Sequence, residues 1–191
     1  MSGCLIAVSK DKTCDTTKKI GGISGRLWLL NLADSTGQKL AYTEADKTIS
    51  DITVQTGLAA YPVDGEKYSH NWTYGLAKPG SSNKYYSQSL NIRTIIDGDL
   101  DLQWLDGVMM ATNLVAILET TDQKFIVLGQ FNGLTAVEGD SFDSGQEPGS
   151  DVSTTVALTG EEVTSPYKYL DTGNGYADTL AYVIGLETPA A

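Results

Sequence analysis

The sequence predicts a mainly β protein. The expected architecture is a β-sandwich or barrel of short antiparallel strands, with one packed α-helix at about residues 99–113 and long loops. Three observations carry this. Apolar and β-branched runs of strand length recur between turn-forming clusters of Gly, Asp, Asn and Ser. Glycine (20) and tyrosine (10) are abundant, which favours turns and strands over helices. Only "DLDLQWLDGVMMATN" holds an apolar pattern at helical spacing for several turns. At 191 residues the chain fits one domain and can bury a sizeable core.

The elements follow in order. Residues 1–22 read as an N-terminal arm: a short apolar stretch, then "SKDKTCDTTKK", then "IGG". That polar run cannot bury enough apolar area to fold alone. Residues 23–191 read as a single β-rich domain. "GRLWLLNLAD" is its first strand, closed by "DSTG". "QKLAYTE" and "KTISDITVQTG" are the next two. Residues 58–96 are tyrosine-rich and hold at least two strands, with "KPGSSN" as a flexible turn and "VDGEK" as a tight return.

In the helix, Leu100, Trp104 and Val108 recur at spacing four, and Leu102, Leu105 and Met109 at spacings three and four. Together they predict one broad apolar face. Asp99 is placed as an N-cap and Asp101 complements the helix dipole. Gly107 weakens the helix by about 1 kcal/mol relative to alanine, which implies that something packs closely there. "LVAILETTDQKFIVLGQFNGL" then reads as a hairpin around "TTDQ". An acidic loop follows at about 136–151, and after it a strand and turn in "STTVALTGEEVTSPYKYLDTG". Residues 176–188 read as either strand or helix.

Charge narrows the function classes. The formal net charge is −11, unevenly spread: residues 1–96 carry 11 Lys/Arg against 8 Asp/Glu, and residues 97–191 carry 2 against 16. A protein that grips nucleic acid needs a basic surface for phosphate contact, and this chain has none on its second half. The start lacks the pattern of a signal peptide, and no apolar run reaches the ~20 residues of a membrane helix. Both point to synthesis in a reducing cytosol, where Cys4 and Cys14 can pair but need not.

Catalytic and metal signatures are missing from the sequence. "GGISG" has its serine in the wrong place for a nucleophile elbow, and no phosphate-binding glycine loop ends in Gly-Lys-Ser/Thr. Asp97, Asp99 and Asp101 begin like a calcium loop. Leu102 then stands where the turn glycine belongs, and Val108 where a bidentate glutamate belongs. His70, the single histidine, reads as a strand or surface residue rather than a general base. The expectation is a non-enzyme with no cofactor and no metal.

From residue 125 onward the chain resembles a known family. "FIVLGQFNGLTAVEGDSFDSGQEPG" and "STTVALTGEEVTSPYKYL" resemble the second half of structural proteins from tailed phages of Bacteroidetes-type hosts, which are similar to tail tube subunits. The shared elements are a strand ending at Asn132-Gly133-Leu134, a variable loop, Thr155 to Glu162, and the aromatic pair Tyr167 and Tyr169. They cover about a third of the chain.

The resemblance implies a virion structural protein: a homo-oligomer of stacked, usually hexameric rings. Sheets of neighbouring subunits join into a barrel whose negative lumen conducts DNA during ejection without binding it specifically. Residues 23–191 would be the tube-type domain. The implied partners are the chain itself in ring and stack contacts, and tail proteins such as terminator, tape measure or baseplate components. No membrane is involved, and the implied location is the virion tail, assembled in the host cytoplasm. On this reading Glu119, Asp122, Glu138 and Asp140 are the lumen-facing acids. Lys10, Lys12, Lys18, Lys19, Asp143, Glu147 and Asp151 are the arm and loop contacts between rings. Two other classes stay open: another virion component, such as a head decoration or tail-completion protein, and a carbohydrate-binding or hydrolytic β-sandwich with Trp72 as the sugar platform.

Overall fold

The computed structural model describes residues 22–65, 69–77, 84–95, 98–137, 141–143 and 153–189. The arm lysines Lys10, Lys12, Lys18 and Lys19, with Cys4 and Cys14, lie outside these residues, as do Glu138, Asp140, Glu147 and Asp151 of the acidic loop.

The chain is mainly β, as expected. Strands β1 (Ile23–Asn31), β2 (Ala41–Ala45), β3 (Thr48–Thr53), β4 (Tyr61–Asp64), β5 (Asn71–Ala77) and β6 (Tyr85–Thr94) precede helix α1 (Asp99–Met110). Then come β7 (Leu114–Thr120), β8 (Phe125–Leu128), β9 (Leu134–Ala136), β10 (Ser141–Asp143), β11 (Ser153–Glu162), β12 (Lys168–Leu170) and helix α2 (Tyr176–Gly185). The strands form one curved sheet in the order β2-β3-β12-β8-β7-β9-β11-β6-β5, with β1 bridging β4 and β7, and β10 on β11. One detail differs from the all-antiparallel expectation: β12 and β3 pair in parallel. Of the two readings open for residues 176–188, the structure has the helix, over 176–185.

The middle of the sheet explains the long apolar runs. "LVAIL" and "FIVL" are buried on both faces, so they do not alternate. Leu114, Ala116, Leu118, Ile126 and Leu128 face one core with Leu29, Leu90, Ile92, Val156 and Leu158. Val115, Ile117, Phe125 and Val127 face a second core with Trp28, Leu30, Ile49, Ile52 and Val183. The first core lies beside α1. The second lies beneath α2 and the β2–β3 hairpin.

The "TTDQ" turn joins β7 to β8 as the sequence indicates. Thr120 Oγ1 donates to Asp122 Oδ1 at 2.6 Å and accepts the Lys124 N–H, which closes the turn. The Asn132-Gly133 turn needs its glycines. Gly129 and Gly133 sit at φ +72° and +79°. A Cβ on either would come within 3 Å of neighbouring backbone, at Leu114 O and Asn113 Cα respectively. The two stretches that carry the family resemblance are neighbours here, since Leu134 of β9 pairs with Gly160 of β11.

Helix α1 ends at Met110, three residues short of the expected boundary, where Ala111 turns extended into the approach to β7. Gly98, not Asp99, is the N-cap residue, and no side chain caps the helix; Asp99 and Asp101 both lie in the first turn. The broad buried face is not realised. Val108 is buried and Trp104 and Leu105 pack partly against the first core, but Leu100 is 78% exposed and Met110 81%. Among the described residues, nothing beyond the helix's own nearby backbone lies within 4 Å of a Cβ placed on Gly107, against the close packing its presence implied.

Candidate assembly surface

The outer strands come first, because an open strand edge is a row of unpaired donors and acceptors. Among the described residues, β2 pairs only with β3 and β5 only with β6. The two edges are built differently. β2 carries Glu44 and a register shift between Thr43 and Glu44, both of which discourage another strand from pairing there. β5 reads "NWTYGLA", with no charge, no proline and an unbroken register against β6. Tyr74 and Leu76 of β5 are more than half exposed.

A second feature is the turn between β8 and β9. Four side chains from other elements fasten it. Gln88 accepts the Gly129 N–H at 3.0 Å. Glu162, itself buried, accepts the N–H groups of Phe131 and Asn132 through one oxygen, at 2.8 and 3.2 Å. The Lys39 amine donates to the Phe131 carbonyl at 2.9 Å. Glu44 accepts from Gln130 and is ion-paired with Lys168, whose amine stands 5.3 Å from the centre of the Phe131 ring. The Lys168 and Gln130 bonds hold the Glu44 carboxyl below its usual range. The phenol of Tyr42 is pushed up, by burial first and then by the nearby carboxylates of Glu162 and Glu44. The result is a fixed turn that carries Phe131, a residue 40% exposed. Sequence reading found the turn through Asn132-Gly133. It missed Gln88, Glu162 and Lys168, because their partners are 30 to 124 residues away along the chain.

The expected lumen acids separate. Glu119 is only 5% exposed. Tyr176 donates to it at 2.8 Å and Arg26 pairs with it at 3.3 Å, so its charge is spent inside the fold, between β7, β1 and α2. It is withdrawn from the set of wall residues for that reason. Asp122 stays at the surface, 3.6 Å from the Lys124 amine, and its carboxyl is held below the usual range, chiefly by the Thr120 hydroxyl. Glu138 and Asp140 fall outside the described residues. Of the inter-ring candidates only the backbone of Asp143 is described, in β10 against Ser153; the others fall outside.

Two further sequence candidates resolve as structure. His70 is buried, accepts the Arg93 N–H on Nδ1 at 3.1 Å, and is held below the usual histidine range, mainly by burial. Its ring fills the space a side chain on Gly65 would need. Trp72 is half-buried. Its ring stacks on Tyr74 at 5.9 Å and meets the edge of Tyr167 at 5.2 Å. Among the described residues no group of three His, Cys, Asp or Glu side chains is placed to hold a metal, and no helix is long and apolar enough to cross a membrane.

Compared with protein-family models, curated proteins and solved structures, the chain matches none of them.

Proposed function

We propose that this protein is the structural subunit of a phage tail tube, self-associating into stacked rings, hexameric by the resemblance, through which DNA passes during ejection. The observation that carries the reading is the β5 edge. Its seven residues are regular and carry no charge or proline, and among the described residues it pairs only with β6. A ring pairs each such edge with a neighbour. The resemblance of residues 125–170 to tail proteins and the lack of a catalytic or metal signature in the sequence support the same reading.

The partners are then other copies of the chain and the terminator, tape measure or baseplate components, and the location is the virion tail. The DNA path would draw on the acidic second half. Each Lys or Arg on the wall adds a salt-dependent phosphate contact that slows passage, and that half has only Lys124 and Lys168. Lys168 is spent on Glu44 and Lys124 sits beside Asp122. Of the four acids first considered for the wall, Asp122 is the described one that remains at the surface.

Negative-stain microscopy of the concentrated protein, with sedimentation across a concentration series, tests the reading. Rings or tubes of uniform diameter are expected. A strict monomer up to millimolar concentration, with no tubes in any condition, would overturn it.

A further inference from the structure

The sequence contains two Asn-Gly steps, Asn132-Gly133 and Asn174-Gly175. Such a step is chemically labile. Glycine has no side chain to shield its nitrogen, and its backbone turns freely. That nitrogen can therefore reach the carboxamide carbon of the asparagine before it. The fold treats the two steps in opposite ways.

At the first step both reacting groups are held. Asn132 Nδ2 donates to the Glu161 carbonyl at 2.7 Å, and the Asn132 N–H donates to the buried Glu162. The Gly133 N–H donates to the Gly129 carbonyl at 3.2 Å. Asn113 packs so closely that a Cβ on Gly133 would lie 2.8 Å from its Cα. The Asn132 side chain cannot swing onto the Gly133 nitrogen without breaking these contacts.

At the second step neither group is held. Asn174 and Gly175 are exposed, and among the described residues neither the Asn174 carboxamide nor the Gly175 N–H has a hydrogen-bond partner. Glycines flank Asn174, with Gly173 at φ +92° and Gly175 at φ +94°. Their own chain neighbours aside, no described residue comes within 4 Å of a Cβ placed on either. The chain is fixed just before and just after this step. The Gly173 N–H donates to Asp171 Oδ1 at 2.8 Å, and the Gly175 carbonyl accepts the N–H and hydroxyl of Thr179 at 3.1 and 3.0 Å. The peptide between them is a free joint directly ahead of α2.

We propose that Asn174-Gly175 is a site of spontaneous covalent modification, and that the fold guards Asn132-Gly133 from the same reaction. Solvent hydroxide takes the proton of the Gly175 nitrogen, which attacks Asn174 Cγ. The N–Cγ bond forms and the Cγ–Nδ2 bond breaks. Nδ2 takes a proton from water and leaves as ammonia, which restores the hydroxide. Water then opens the cyclic imide. Addition at Cγ gives aspartate, and addition at the backbone carbonyl carbon of Asn174 gives isoaspartate, with the chain rerouted through the side chain. Either product places a carboxylate where a neutral amide stood, beside the N-terminus of α2, where the helix dipole favours negative charge. The inference does not depend on the tube reading, and neither its success nor its failure bears on assembly.

Peptide mapping by mass spectrometry, on the full-length protein ageing in mildly alkaline buffer, tests it. Conversion is read as replacement of the amide by a carboxyl group, and isoaspartate is confirmed by enzymatic methylation. A parallel sample unfolded in guanidinium chloride gives the rate of each step without the fold. In the folded protein Asn174 should convert at close to its unfolded rate. Asn132 should convert more slowly than its own unfolded rate by about tenfold or more, because the turn must first open. On anion exchange the parent should acquire a second, more acidic form with time. Asn174→Gln, whose longer side chain closes the ring poorly, should remain a single form. An Asn174 that stays intact in the folded protein while converting in the unfolded one would overturn the inference. So would an Asn132 that converts as fast folded as unfolded.

Discussion

The two helices are built from similar material and are held very differently. Helix α2 is tied into the second core at every turn. Thr179 and Val183 are buried, Tyr176 bonds Glu119, and Tyr182 accepts the Ile52 N–H at 2.6 Å and donates to Asp51 at 3.0 Å. Just beyond its end, Leu186 receives the Ala60 N–H and Glu187 receives the Trp28 indole N–H. Burial and the Asp51 carboxylate push the Tyr182 phenol up to about 12. Helix α1 buries Val108 alone and turns four large apolar side chains outward. One helix is an integral wall of the fold. The other rests on the fold with most of its apolar side chains exposed among the described residues.

The largest difference should appear beneath α2. Phe125 is buried there, stacked on Tyr176 at 5.7 Å and beside Trp28. Phe125→Ala should cost about 3–5 kcal/mol, read as a fall in the urea midpoint. A cost under about 1 kcal/mol would break the claim that α2 closes a core.

A smaller loss should follow from Glu187→Ala, which removes the acceptor of the Trp28 indole at 2.8 Å. About 1 kcal/mol is expected by thermal denaturation, with no effect on the association of copies. Any change in association would place the α2 end at an interface.

His70 sharpens the comparison from outside both helices. Its folded pKa lies below the ordinary value of 6.5, so the folded state resists the proton that the unfolded chain takes up. No effect is expected above pH 7, where both states are neutral. Stability should decline as pH falls through 6.5 toward the folded pKa. His70→Gln should flatten that decline in a series of melts from pH 7.5 to 5. An unchanged slope would mean that another group sets it.

The smallest effect on stability belongs to α1. Leu100→Ser and Met110→Ser should each change the unfolding free energy by less than about 0.5 kcal/mol, because both side chains already face solvent. A loss of 2 kcal/mol from either would mean that α1 is as integral to the fold as α2.

The contrast also marks what was legible in the sequence. Strands buried on both faces announce themselves as continuous apolar runs, and "LVAILETTDQKFIVL" could be read as a hairpin down to its turn. The spacing of Leu100, Trp104 and Val108 gave the helix. Spacing fixes which residues share a face, though, and says nothing about whether that face is covered, so the exposure of α1 was hidden. Residues 176–188 were ambiguous because α2 is short and its stability comes from tertiary partners such as Asp51 and Trp28, far away in the chain. Glu119 misled for the same reason. An acid beside a strand end looks solvent-facing until Tyr176 and Arg26 arrive from other elements. The turn at Asn132-Gly133 was visible through its glycine, whereas the brace formed by Glu162 and Gln88 could be seen only after β11 and β6 were placed beside it.

Hydrogen exchange read by mass spectrometry, on dilute and on concentrated protein, puts the central claim to the most direct test. The account predicts that concentration adds protection over the β5 edge (Asn71–Ala77), while α2 (Tyr176–Gly185) is already protected in the dilute subunit, more strongly than α1 (Asp99–Met110), and does not change. Equal exchange at both concentrations, or α1 protected as well as α2 in the dilute subunit, would contradict it.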